Sequence, residues 1–469
     1  MKKRKKCASG SITVLLSLVM TTVLIMTAAL TELSRTSLIK ARVVMDCENA
    51  MASILAEYNR PLLERYNIFG MDGAYGRNSF NSKKIIDRMK DYMPGLRGDG
   101  GIAIGYGEQG ISLDNYGFLT DKCGSEIYAQ AVTYMKKAYG LDILAGAADI
   151  EGLKNDYEAG KDEVSEINSD DLGDDEAGGI LSSISSIRRK NILSLIFGSE
   201  AALSSKRTDR GKLLTNRRSD LFKGAGLVAG SAVDKLLFQE YIIRSFSCYT
   251  DKKGGSEGTV PPLDYEIEYI LAGHGDDKTN LGDVAKRLTT IREVLNFAYI
   301  QTDSAKKGEA EFLATILFSV TANPAVIKAA TQIILAAWAY SESICDVRTL
   351  LAGKKAPIIK TAATWKTGLY SIFNPAGTGT LNVDEGLDYP TYLRVLLLME
   401  NEADKCGRAM DIMELNIRNT DHYGSFGMDN CIHAFSMQGS FNIKHIFTTI
   451  GTSCVEFGGD ISYEMLEKR

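Results

Sequence analysis

At 469 residues, with 54 Lys and Arg against 59 Asp and Glu, the chain carries a formal charge of −5 and 45% hydrophobic residues. That balance offers no overall basic face for neutralising phosphates, which excludes general nucleic-acid binding as an expectation from composition. The composition is otherwise ordinary for a folded protein, and the length suits two or three domains behind an N-terminal segment.

The chain opens on a basic cluster, Lys2, Lys3, Arg4, Lys5 and Lys6, followed by a stretch from Ile12 to Leu30 without a charged residue. Nineteen helical residues at about 1.5 Å each reach roughly 28 Å, close to the ~30 Å hydrocarbon core of a bilayer. The following flank is balanced, with Glu32, Asp46 and Glu48 against Arg35, Lys40 and Arg42. The positive-inside rule then keeps the N-terminus cytoplasmic and exports the rest, giving a single-pass protein of the cell membrane with an extracellular C-terminal domain. Thr27-Ala28-Ala29 offers small residues for signal cleavage, but the apolar run is longer than a signal core needs. Helical spacing also continues through Val44, Cys47, Met51, Ile54 or Leu55, and Tyr58. The expectation is therefore a transmembrane helix in 1–30 continuing into an amphipathic stalk helix in 31–70. Cys7 precedes the apolar stretch, where a lipid-modified cysteine would have to follow it.

Pro61 interrupts the helical pattern, and Tyr66 to Gly70 closes it. Region 71–160 is Gly-rich and mixed, reading as loops and short strands to about Gly124, then as a helix from Glu126 to Gly140. Residues 161–179 turn acidic and small, as a linker does. A helical domain follows over 180–425, with Val284, Leu288, Ile291, Leu295 and Ala298 forming an amphipathic stripe. Pro324 opens an apolar segment containing Trp338; Lys328, Gln332 and Glu342 mark it as a core helix rather than a second span. Pro390 suits the first turn of a helix carrying Leu393, Leu396 and Leu397, and Ala409, Met413 and Ile417 share one face of the next. Region 426–469 reads as β structure, with a hairpin around Gly439 and a strand near Asp460 to Tyr463.

Gly105 to Gly110 fits the GxGxxG pattern, but Ile111 to Gly117 does not read as the helix a dinucleotide site needs. His274, His422, His433 and His445 lack metal-ligand spacing, and His433 and His445 face each other across the expected hairpin. The basic run from Lys206 to Lys212 lacks interleaved aromatics and reads as solvated surface. Asp170 to Glu176 lacks the ligand alternation of a calcium loop. Export permits disulfides without demanding them, and Cys431 and Cys454 are the candidate pair across the C-terminal sheet. Cys345 and Cys406 read as buried thiols. No nucleophile elbow or phosphate loop is present. The expectation is no enzyme, no cofactor, no metal and no small-molecule substrate.

Several blocks carry a resemblance: Glu57 to Phe69, Ile291 to Tyr299, Trp338 to Ser343, Asp346 to Lys354, and Leu387 to Leu393. Together they resemble an uncharacterised Gram-positive family, a domain of unknown function, associated with Tad (tight adherence) pilus genes. The likeness spans nearly the whole chain and is weakest from Gly73 to Leu236. The N-terminus is loosely similar to TadE/TadG-like or pilin-like proteins, which implies processing between Gly10 and Ser11. Such pilins usually carry a glutamate five residues after the cut, where this chain has Leu15.

The combined reading is an α+β protein with an exported, mainly helical domain and a small C-terminal antiparallel sheet. It is expected to be a minor or accessory structural component of a Tad or type IV-like pilus or secretion assembly, with membrane and protein partners. Tyr58, Pro61, Tyr66 and Phe69 are the residues expected to dock the stalk onto the globular part. The alternatives are a surface-anchored adhesin or ligand-sensing module using residues 95–124 as recognition loops, and thirdly an exported hydrolase.

Overall fold

A computed structural model describes residues 9–98, 104–140, 146–167, 186–198, 203–222, 230–253, 260–319, 323–383, 385–447 and 452–467. The protein is α+β. It divides into two compact units: Met1–Glu64 with Ile68–Thr120 and Ser425–Arg469, and Arg65–Asn67 with Asp121–Gly424. Lys2, Lys3, Arg4, Lys5, Lys6 and Cys7 lie outside the described residues, as do 168–179 of the expected linker.

The first unit opens with α1, Ser9–Leu55, a single helix of 47 residues. From Ile12 (65% exposed) to Leu30 (52% exposed) its large apolar side chains touch little else. The stretch is compatible with one membrane crossing. Ser17, Thr21, Thr22 and Thr27 donate their hydroxyls to carbonyls three or four residues earlier, so these polar atoms are satisfied within the helix. Farther along, the same helix buries Ile39, Val43, Cys47, Ala50, Ile54 and Leu55 as a stripe against a sheet. The buried position is Val43; Val44 faces out. A short helix, α2 (Arg60–Tyr66), follows. Asn59 caps it by accepting the Leu62 amide at 2.9 Å, and Pro61 sits in the first turn, where no amide hydrogen is required.

The sheet contains β1 (Met71–Asp72), β2 (Gly107–Phe118), β3 (Cys431–Lys444) and β4 (Thr452–Ser462). All pairings are antiparallel and all involve β3. Phe435, Met437, Phe441 and Ile443 alternate along β3 toward α1, while Ile85 and Met89 of α3 (Ser82–Asp91) join the same core. Three sequence expectations change. The Gly-rich stretch forms a twelve-residue strand over Gly107–Phe118, because β3 supplies it with a partner from the far end of the chain. Residues 426–469 consequently share one unit with 71–120 and form no separate domain. Gly439 lies mid-strand, opposite Ile111 and Phe457, and the reversal falls between Lys444 and Thr452.

The disulfide is also overturned: Cys431 and Cys454 are not bridged to each other. Cys454 pairs with Asn442, eleven residues along β3 from Cys431. At about 3.3 Å per residue that is roughly 36 Å, far beyond the ~7 Å limit for bridged Cα atoms.

The second unit is helical. It contains α4 (Asp121–Tyr139), α5 (Ala147–Ile167), α6 (Ala232–Ser245), α7 (Glu266–Ala272), α8 (Asp277–Ile300), α9 (Ser304–Phe318), α10 (Pro324–Leu351), α11 (Tyr389–Met399) and α12 (Glu402–Arg418). Side-chain caps start many of them: Ser231, Asp276, Asp303, Asn323, Asp388 and Asn401 each accept a first-turn amide. Lys161 to Ile167 forms the last two turns of α5 rather than linker, since Val164 is buried in a core with Val294, Phe297, Ile334 and Trp338. Regular helix in α4 begins only after Lys122, Cys123 and Gly124, whose φ values are 50°, 57° and 81°. In α8, Val284, Leu288 and Ile291 are buried as expected, but Leu295 is half-buried and Ala298 exposed. Arg292 and Asn296 occupy the inner positions instead.

Ile54→Ala should destabilise the first unit by about 2–5 kcal/mol through the cavity it leaves. Leu24→Ala, on the exposed stretch, should leave the unfolding midpoint of the detergent-solubilised chain unchanged. Denaturant titration of both variants checks the contrast.

Candidate functional site

Three clusters gather polar chemistry. The first lies in the first unit, where the apolar stretch of α1 ends. Glu32, 5% exposed, receives the backbone amides of Ile446 and Phe447, each at 3.2 Å, and its Oε1 lies 3.0 Å from His445 Nδ1. Arg35 donates to Glu32 at 2.9 Å and to the Lys444 carbonyl at 2.8 Å. The second imidazole nitrogen of His445 meets Ser453 Oγ at 3.1 Å. Desolvation alone would raise the Glu32 pKa; the amides, His445 and Arg35 outweigh it and hold the carboxyl below its ordinary value. The β3–β4 turn is thereby latched to α1.

The second cluster is buried in the helical unit. Arg292 of α8 donates to Asp346 at 3.0 Å, to the Ile358 carbonyl at 3.1 Å, to the Tyr392 hydroxyl at 2.9 Å and to Asn296 at 3.2 Å. Asn296 bridges Ser343 and Asp346, each at 2.9 Å. Lys360 reaches Asp346 at 2.6 Å and also contacts Glu342, whose carboxylate accepts the Thr367 amide at 2.8 Å. Arg292, Asp346, Glu342 and Lys360 are all buried, and their charges cancel. Burial opposes ionisation of Asp346, but Arg292 and Lys360 overcome it and lower its pKa. Arg292 is held above its ordinary value by Tyr392 and Asp346 against the same desolvation. The arrangement is closed to solvent and joins α8, α10, α11 and the segment around Lys360.

The third cluster surrounds α7. Glu266 accepts the Ser247 amide at 2.8 Å and Asn416 at 2.6 Å, and pairs with Arg65 at 3.2 Å. Glu268 accepts the Tyr249 amide at 2.9 Å and the Tyr389 hydroxyl at 2.7 Å through Oε1, while Oε2 has no partner among the described residues. Burial pushes Glu268 up to about 7. Asp411, bonded to Thr215 and Tyr269, rises to about 6 for the same reason.

The docking residues separate. Tyr58 meets Phe69 edge-on at 5.7 Å, and Phe69 meets Tyr463 at 5.3 Å, all in the first unit. Pro61 is half-buried there. Tyr66 belongs to the second unit, stacked on Phe246 at 5.4 Å and receiving Asn416 at 2.8 Å. Gly10 and Ser11 lie in the first turn of α1. His433 and His445 do not face each other: His433 lies against Gly117 on β2, and His445 is at the latch. Gly107 to Gly110 of the GxGxxG match are strand, and the strand runs on to Phe118. Two clefts open on the helical unit, one of about 570 Å³ between α9 and α10, the other of about 340 Å³ with Arg210, His274, Asp404 and Arg408 in its walls. Among the described residues no group of three His, Cys, Asp or Glu is placed to hold a metal ion. Sequence spacing could not reveal the Glu32–His445 contact, which joins residues 413 apart. Nor did it single out Lys360, which lies outside the recognised blocks.

Two outcomes follow for these clusters. Lys360→Met strands Glu342 and Asp346 with too little positive charge and should cost about 3–5 kcal/mol, read as a lower unfolding midpoint. The raised Glu268 pKa means that the folded state holds a proton the unfolded state releases, from the ordinary 4.5 up to about 7. Its contribution to stability is therefore fully present below that window and is lost as pH rises through it. Glu268→Gln should be more stable than the parent at pH 8 by about 1–3 kcal/mol, with the gap closing below pH ~4.5, as measured by unfolding across pH.

No curated protein and no solved structure matches the chain. Residues 171–443, more than half of the chain, match a family of unknown function. That span contains Arg292, Glu342, Asp346, Lys360, Tyr389 and Tyr392, so the ion cluster around Arg292 lies within the matched region, and the cluster around α7 does so except for Arg65. The chain belongs to the family of unknown function DUF5702.

Proposed function

We propose that the protein is a single-pass membrane protein whose N-terminus faces the cytoplasm and whose folded units are exported. In this reading it acts as a structural, accessory component of a pilus or secretion assembly of the Tad or type IV-like kind. The observation that carries the proposal is the continuity of α1. The exposed apolar stretch and the helix buried under the sheet are one element, so an anchor and a folded unit share a rigid rod. The basic cluster before Ile12 supports the orientation, and the resemblance to a family associated with Tad pilus genes supports the setting. The buried ion cluster supports a scaffold role, since its charges are used in joining helices.

Against the adhesin alternative, the middle of its proposed loops, Gly107–Phe118 within 95–124, is paired strand. The departure at Leu15 favours an accessory role over that of a major subunit.

N-terminal sequencing of the membrane-extracted protein tests the anchor. A start at Met1 or Ser11 retains it, and a start near Leu30 overturns it. Deletion of the gene tests the assembly role: surface fibres should be lost or shortened and should return with the full chain but not with one lacking 12–30. Unchanged fibres after deletion would refute the role.

A further inference from the structure

We propose that Ile446 and Phe447, which follow β3, insert into the headgroup layer of the membrane that α1 crosses, a second lipid contact held in place by Glu32. The inference rests on the anchor reading above. Phe447 is 57% exposed and Ile446 45%, although both follow a strand whose apolar residues otherwise turn inward. Their amides are fixed to the Glu32 carboxylate at 3.2 Å. Glu32 stands two residues beyond Leu30, or about 3 Å along the helix axis. The headgroup layer on each side of a ~30 Å hydrocarbon core is roughly 5–7 Å deep. Backbone bonded to Glu32, as at Ile446 and Phe447, therefore lies within that layer whenever Ile12–Leu30 spans the core.

Its chemistry fits the location. His445, Ile446 and Phe447 include neither an acidic residue nor a Lys or Arg. Lys444, exposed just before the turn, is suited to the phosphate level, where long basic side chains extend their charge to water. Isolated apolar residues on a water-facing surface are common and need no ligand. These two are distinguished by their hydrogen-bonded attachment to the end of the apolar helix. The proposed occupant is lipid, with Phe447 at the boundary between headgroups and acyl chains.

The test uses the full chain reconstituted into phosphatidylcholine vesicles brominated near the headgroup end of the acyl chains. The parent contains two tryptophans, Trp338 and Trp365, both buried and serving as an unquenched baseline. Phe447→Trp should add emission that the bromolipid quenches, and that lipid brominated deeper quenches less. Leu24→Trp, within the apolar stretch, should be quenched by the deeper label. Quenching of Leu24→Trp without quenching of Phe447→Trp overturns the turn insertion and leaves the anchor standing. If neither is quenched, the anchor reading fails and this inference fails with it. Adding Glu32→Ala to Phe447→Trp should reduce quenching at the turn while leaving that of Leu24→Trp intact; unchanged quenching would remove Glu32 from the account.

Discussion

A single ladder of helical hydrogen bonds runs from Ser9 to Leu55, and the first unit is arranged around it. An α-helix satisfies its backbone internally, so it can leave one surrounding and enter another without a break. Only the side chains record the change. From Ile12 to Leu30 they are uncharged and largely apolar; from Ile39 the buried apolar residues form a stripe beneath β3 and β4. With no flexible joint between the two stretches, the phase of the helix dictates which side of the apolar rod the sheet occupies. One inserted residue between them would turn that relation by about 100°.

The helical unit solves a different problem. Its inner positions include an arginine, a lysine and several carboxylates where leucines would serve for burial alone. Buried ion pairs are weak evidence of stability, because desolvation offsets most of their attraction. Here the donors are spread over several segments, and Arg292 alone contacts α8, α10, α11 and the Ile358 carbonyl. Such a group accepts one mutual arrangement of its neighbours, whereas apolar contacts tolerate sliding. The first turn of α11 extends the same logic. Tyr392 meets Arg292, and Tyr389, three residues earlier, donates to Glu268, so one helical turn connects two buried polar clusters.

Elements whose signals are local were legible in the sequence. The apolar run, Pro324 and Pro390 in first turns, the core position of Trp338 and the inward face of Ala409, Met413 and Ile417 all follow from spacing and caps. What depended on distant pairing was not. β2 lies in a glycine-rich stretch with little strand propensity of its own and exists through β3, more than 300 residues later. Gly439 reads as a turn until neighbouring strands are paired on both of its sides. On α8 the apolar stripe drifted to Leu295 and Ala298 because hydrophobic periodicity gives no weight to Arg292 and Asn296, which a partnered core can bury. The recognised blocks did contain the members of the ion cluster except Lys360, yet as isolated blocks they carried no hint that they converge.

Glu32 shows how a costly residue becomes a joint. Glu32 is buried, so its carboxylate is poorly hydrated, and an unpaired charge there would be expensive. Placing it at the surface of the helix with water alone would leave that cost open. The β3–β4 turn instead brings two backbone amides, His445 and Arg35 to the same carboxylate. Those amides stand at a strand reversal, where ladder pairing has ended and donors need other partners. The helix at Glu32 thus has a surplus of acceptor and the turn a surplus of donor, each difficult to satisfy alone. Their pairing fixes the turn beside the end of the apolar helix without requiring a large buried surface.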